Sequence, residues 1–141
     1  MQNMTTEQWH EFVMTGTRTG KLAVTRADGR PHVTPIWFVL DGDDVILNTG
    51  TDSVKGKALR RDPRVCLSVD DQVPPYSFVV IDGVAEISED RDELRRWATA
   101  IGGRYMGAGR AEEFGIRNAV PGELLIRIRP TRVIARAGIS A

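Results

Sequence analysis

The sequence predicts a mainly β protein, an antiparallel meander or Greek-key barrel with helices at its periphery. Short runs rich in Val, Ile, Thr and aromatic residues fall at 21–26, 31–40, 44–50, 64–70 and 76–88. Turn chemistry separates them, with "ADGR" and "DGDD" carrying the Asp-Gly steps that favour tight hairpins. Hairpin connections leave neighbouring strands antiparallel, which argues against a parallel sheet.

Each element has its own local reason. "TTEQWHEFV" reads as a short helix, with Thr5 and Gln8 at capping-box spacing and Trp9, Phe12 and Val13 on one face. "TGTRTG" ends it. Pro35 interrupts "HVTPIWF" and cannot donate to a ladder, so an edge or a bulge is expected there. Gly83 in "VVIDGVAEI" predicts a bulge or a bend. "SEDRDELRRWATAIGGRYMG" is the clearest helix, capped by Asp90 with Glu93 and striped by Leu94, Trp97, Ala98 and Ile101. Gly102-Gly103 is expected to end it. "RAEEFGIRNA" reads as a short helix or turn. In "GELLIRIRPTRVIARAG", Ile126 and Ile128 alternate with Arg127 and Arg129, as in a half-buried strand.

Composition bounds the function. A chain of 141 residues with zero formal net charge is read as one domain, 1–141, large enough to bury roughly two-thirds of its unfolded surface. Balanced charge and a pI near 6.7 argue against general nucleic-acid binding. The single cysteine, Cys66, excludes an internal disulfide framework and fits a reducing cytoplasm. The polar start shows no leader pattern, and no apolar run is long enough to span a membrane. There is no GxSxG, no HExxH and no Cys/His cluster, so no metal site is expected and no catalytic acid or nucleophile stands out. If such a chain is an enzyme, its hard chemistry belongs to a bound cofactor.

One stretch asks for a ligand. "TDSVKGKALRRDPR", residues 51–64, holds five cations and two acids. A helix starting near Ser53 places Lys55 and Lys57 where the backbone dipole disfavours positive charge. Thr49, Thr51 and Ser53 add hydroxyls, and Gly50 and Gly56 permit close backbone approach. A strand entering a helix N-terminus is a natural phosphate site; a solvated basic helix is the plain alternative.

The run "NTGTDSVKGKALRRDPRVCLSV" resembles the phosphate-binding strand–helix–strand of the pyridoxamine-phosphate-oxidase-like split barrels. Members typically read Thr-Asn, then Ser-Arg-Lys-Gly, then Asn-Pro or Asp-Pro. "GKLAVTRADGRPHVTPIWFVLDGDDVIL" is similar to the first hairpin of that fold. "GRYMGAGRAEEF" and "LLIRIRPTRVIA" are similar to the tail of its actinobacterial branch, which uses the deazaflavin coenzyme F420. The likeness covers roughly residues 15–136.

The resemblance implies a six-stranded antiparallel split β-barrel with peripheral helices, pairing as a homodimer with cofactor sites along the seam. It implies a coenzyme F420-dependent reductase that passes a hydride to a conjugated acceptor such as an enone or quinone. An FMN-binding oxidoreductase and a non-catalytic coenzyme carrier are the alternatives. Val54 stands where the flavin-phosphate oxidases carry an arginine, and "HVTPIWFVL" lacks Lys and Arg, so FMN is disfavoured. By position, Ser53, Lys55 and Lys57 would hold the coenzyme phosphate and acidic tail beside Thr49 and Gly50. His32, Thr34, Pro35, Ile36 and Trp37 would line the ring. His32 reads equally as an ordinary strand residue, and Trp37 reads more readily as core, since its indole also packs well inside a barrel.

Overall fold

The computed structural model describes residues 1–141. In chain order the elements are β1 (Gln2–Asn3), α1 (Thr6–Met14), β2 (Gly20–Thr25), β3 (Pro31–Ile36), β4 (Val39–Asp41), β5 (Asp44–Gly50), α2 (Val54–Arg61), β6 (Arg64–Asp71), β7 (Ser77–Ser88), α3 (Arg91–Met106), α4 (Ala111–Asn118) and β8 (Glu123–Ala137). A 3-10 turn at Ala108–Arg110 joins α3 to α4.

All strand pairs are antiparallel. Their order is β3-β2-β6-β7-β8-β5-β4, with the short β1 added beside β8. The sheet has eight strands rather than the six expected, and it does not close into a barrel. Its two edges, β3 and β4, are nonetheless joined by Trp37 and Phe38 alone. The sheet must therefore curl until its edges approach, but no ladder seals the seam.

The expected strand at 31–40 divides there for a specific reason. The Phe38 N–H donates to Tyr105 Oη at 3.2 Å, and Arg104 Nη1 donates to Phe38 O at 2.6 Å. Side chains of α3 thus take the two backbone groups that a continuous strand would give to a neighbour.

Pro35 lies on the edge strand β3, and the β7–β8 register shifts at Asp82/Gly83, as their residue types require. A Cβ on Gly83 would lie 2.6 Å from Ile128 Cγ2, so the bend is also a close approach.

Inward residues fill the curl in period two. Leu22, Leu67, Ile81, Leu124, Ile126 and Ile128 are fully buried, and Phe38 plugs the seam from inside. α3 docks outside, where Leu94, Trp97 and Ile101 meet Val39, Ile46 and Leu125. Each such side chain contributes about 1.5–3 kcal/mol on burial.

Local caps follow the sequence in part. Thr5 and Gln8 make a complete capping box. Asp90 caps α3 through the Glu93 N–H at 2.9 Å, but the Glu93 carboxylate accepts from Ser88 Oγ instead of the Asp90 N–H. The helix does not stop at Gly102-Gly103; it runs to Met106 and ends at Gly107, whose φ is 96°. Gly102 is a packing glycine, because its added Cβ would sit 2.5 Å from Phe114 Cβ.

Candidate functional site

One hydroxyl builds the start of α2. Ser53 Oγ accepts from the Gly56 N–H at 2.9 Å and donates to Gly50 O at 2.7 Å, with Thr49 Oγ1 3.0 Å away. Its bonding capacity is used locally, so Ser53 acts as the cap. A Cβ on Gly56 would collide with Gly50 O and lie 3.0 Å from Thr51 O, so glycine lets the 50–53 turn fold tightly onto the helix. Lys57 N–H bonds Ser53 O at 3.0 Å. The N–H groups of Val54 and Lys55, in the first turn, have no acceptor within the helix.

Beside this turn lies a cavity of about 350 Å³. Thr49 and Asn48 of β5 and Lys55 of α2 form one wall; Pro35, Ile36 and Trp37 form a second. Asn48 is oriented by its Nδ2–H bond to Glu123 Oε1 at 2.7 Å. Trp37 is 40% exposed and stacks on Tyr105, with centroids 5.0 Å apart and planes 5° apart. Tyr105 is itself fixed, donating to Arg18 O at 2.8 Å, and burial pushes its phenol pKa up.

The remaining wall comes from α3 and α4. Gly102 and Gly115 let the two helices cross at close range, since a Cβ on Gly115 would collide with Thr99 Oγ1. This crossing carries Phe114, Arg117 and Asn118 to the cavity, opposite Ala98 and Ile101.

The only charged residues in the lining are Lys55 and Arg117, both cations. Neither makes a salt bridge. The donor set therefore suits an anionic ligand with an apolar, planar part, and a phosphate-bearing coenzyme fits that chemistry.

Of the residues the sequence pointed to, Pro35, Ile36, Trp37, Thr49 and Lys55 share this cavity. Gly50 and Ser53 form the adjoining turn. Lys57 is exposed and lies outside the lining, as do His32 and Thr34 on β3. Thr34 Oγ1 is buried without a hydrogen-bond partner, an unmet polar atom on the strand that enters the site. Cys66 is half-buried, and burial raises its thiol pKa further, as does Asp82 beside it. Sequence reasoning missed Asn48, Phe114, Arg117 and Asn118. "RAEEFGIRNA" reads as a short helix or turn, but nothing local says that it packs on α3 and joins the cavity wall.

No group of three or more His, Cys, Asp or Glu side chains converges to hold a metal, and no helix is long and apolar enough to cross a membrane.

A family model described as pyridoxamine 5'-phosphate oxidase matches residues 5–137. The chain belongs to this family, which includes oxidoreductases. A conserved hypothetical protein from Mycobacterium tuberculosis is 31% identical over 97% of this chain and 87% of its own, with a TM-score of 0.85. An F420 reductase is 26% identical, covering 87% of this chain and 94% of its own at a TM-score of 0.69. A FAD-binding protein from Mesorhizobium loti, 20% identical over 95% and 93% with a TM-score of 0.68, shares the fold. No curated protein matches the chain.

Proposed function

We propose that this protein is a coenzyme F420-dependent reductase acting on a conjugated small molecule such as an enone or quinone. The observation that carries the reading is the cavity between the α2 cap and Trp37, whose charged lining is wholly cationic. The likeness to an F420 reductase supports it.

Reduced deazaflavin supplies a hydride to an electrophilic carbon. Lys55 and the free N–H groups at the α2 start hold the phosphate, where charge-assisted bonds are worth about 1.5–3 kcal/mol each. Lys57 contributes only through the local field. Pro35, Ile36 and Trp37 bound the planar part, and the fixed Trp37–Tyr105 stack keeps that wall from moving. No carboxylic acid, histidine or tyrosine of this chain lines the cavity, so solvent is the proton source that one protomer offers.

Two protomers complete the site. The cavity is at the small end of the roughly 300–1,000 Å³ usual for ligand pockets. Val33 on the edge strand β3 is 58% exposed, and Trp37 just past its end is 40% exposed.

Titration of the purified protein with coenzyme F420 and with FMN, each followed by fluorescence, tests the cofactor assignment. Tighter binding of F420 by a colourless protein is expected. A yellow preparation with stoichiometric FMN would make this an FMN-binding oxidoreductase. Oxidation of the reduced coenzyme by a panel of enones and quinones then separates a reductase from a carrier.

A further inference from the structure

We infer that Arg117 is a second anion-recognition residue, which receives the acidic group of a planar, conjugated carboxylate acceptor. The inference rests on the F420 reading for the identity of the coenzyme, but not for the existence of the site.

Arg117 is kept available by its neighbours. It projects from α4 into the cavity lining, with its guanidinium carbon 5.5 Å from the centre of the Phe114 ring. Its natural helical partner is Glu113, one turn back, an arrangement that favours an ion pair. Yet both Glu113 oxygens are already engaged: Arg110 Nε donates to Oε2 at 2.9 Å and Arg110 Nη2 to Oε1 at 3.1 Å. This bidentate pair holds the Glu113 carboxyl below its usual range, with Arg117 a smaller contributor. Arg117 is left without a salt bridge beside a cavity that contains no carboxylate.

Its placement separates it from Lys55. Lys55 stands on α2 at the capped turn, whereas Arg117 arrives on α4 through the Gly102–Gly115 crossing. Two cations on different walls fit two anionic groups better than one. The same lining holds Trp37, its ring fixed on Tyr105, and Phe114, its ring 6.0 Å from Trp37. Guanidinium suits a planar carboxylate because it donates two parallel hydrogen bonds.

Calorimetry with cinnamate and its neutral isostere cinnamamide, alongside coenzyme F420, tests this. In the wild type, cinnamate should bind at least tenfold more tightly than the amide; equal affinity would overturn the assignment. Arg117→Ala should weaken cinnamate ten- to a hundredfold, leave the amide and F420 within about twofold, and Arg117→Lys should recover part of the loss. Loss of F420 affinity would give Arg117 to the coenzyme, and no loss at all would leave it a solvated cation; either result overturns the proposal. Arg110→Gln, a surface change outside the cavity, offers an independent check. Freed from Arg110, Glu113 should capture Arg117 and weaken cinnamate several-fold, and adding Glu113→Gln should restore it; an unchanged affinity in Arg110→Gln would contradict the inference. Should the wild type fail to bind F420 while cinnamate still depends on Arg117, the coenzyme reading fails and this one stands.

Discussion

Arg104 gives its guanidinium to backbone carbonyls of two segments, the end of α1 with the turn after it and the link between β3 and β4. Nη1 reaches Phe38 O and Nη2 reaches Val13 O, each at 2.6 Å, and Nε reaches Gly16 O at 3.0 Å. It lies over the rings of Phe38 and Tyr105, and burial lowers its pKa. The sequence places it just past the helix end expected at Gly102-Gly103, so nothing local reveals its role. Arg104→Ala leaves several carbonyls unmet and should destabilise the fold by about 2–4 kcal/mol, measured by denaturant unfolding. Arg104→Lys should recover less than half, because an ammonium cannot reproduce the planar fork. A loss below about 0.5 kcal/mol in Arg104→Ala would show that water replaces those bonds, as at an ordinary surface position. Ser53 is the opposite case: its hydroxyl bonds reach only Thr49, Gly50 and Gly56, at most four residues away, so a short local stretch is enough to build its cap.

At the scale of elements, the α3–α4 crossing forms the far wall of the cavity, and small residues set its distance. Gly115→Ala places a methyl where Thr99 Oγ1 now sits, and Thr99 Oγ1 also donates to Arg95 O at 2.6 Å. The crossing must open to admit it, so Gly115→Ala should lower stability by about 1–3 kcal/mol. It should also weaken ligands that contact α4 more than those held at α2. A thermal melt with parallel titrations reads both effects, and unchanged stability would mean that Thr99 simply rotates away. The same crossing explains why Gly102-Gly103 misleads. Glycine punctuates helices when only local chemistry acts, but here tertiary packing continues the helix to Gly107. The strand periods, the Asp-Gly hairpins, the Pro35 edge and the Gly83 bulge were legible because each is a local constraint. The break at Trp37-Phe38 was not, because its cause lies 67 residues away in Tyr105.

For the whole molecule, the unsealed seam decides what can be built. Its edges approach only because two residues bridge them, and the exposed apolar groups Val33 and Trp37 lie along it. Pairing of two copies across such an edge commonly buries about 2,000 Å² or more when obligate. Sedimentation at micromolar concentration should therefore give twice the 15.6 kDa chain mass, and a clean monomer that binds coenzyme would remove the shared-site arrangement. Half of the site was legible in the sequence for the same reason as the strands. "TDSVKGK" forms its turn and helix start from adjacent residues, whereas the α4 wall depends on a fold-level crossing. The central claim is that the cavity beside the α2 cap takes the coenzyme phosphate, with Lys55 as its cation. The direct measurement is the F420 affinity of Lys55→Ala and Lys57→Ala against wild type, at low and at raised salt. Lys55→Ala should weaken binding by about ten- to a hundredfold with much of the salt dependence lost, Lys57→Ala only by about two- to fivefold, and neither should melt lower, since each removes a charge the helix dipole disfavours. Equal, wild-type affinity in both variants would contradict the claim and leave α2 a solvated basic helix.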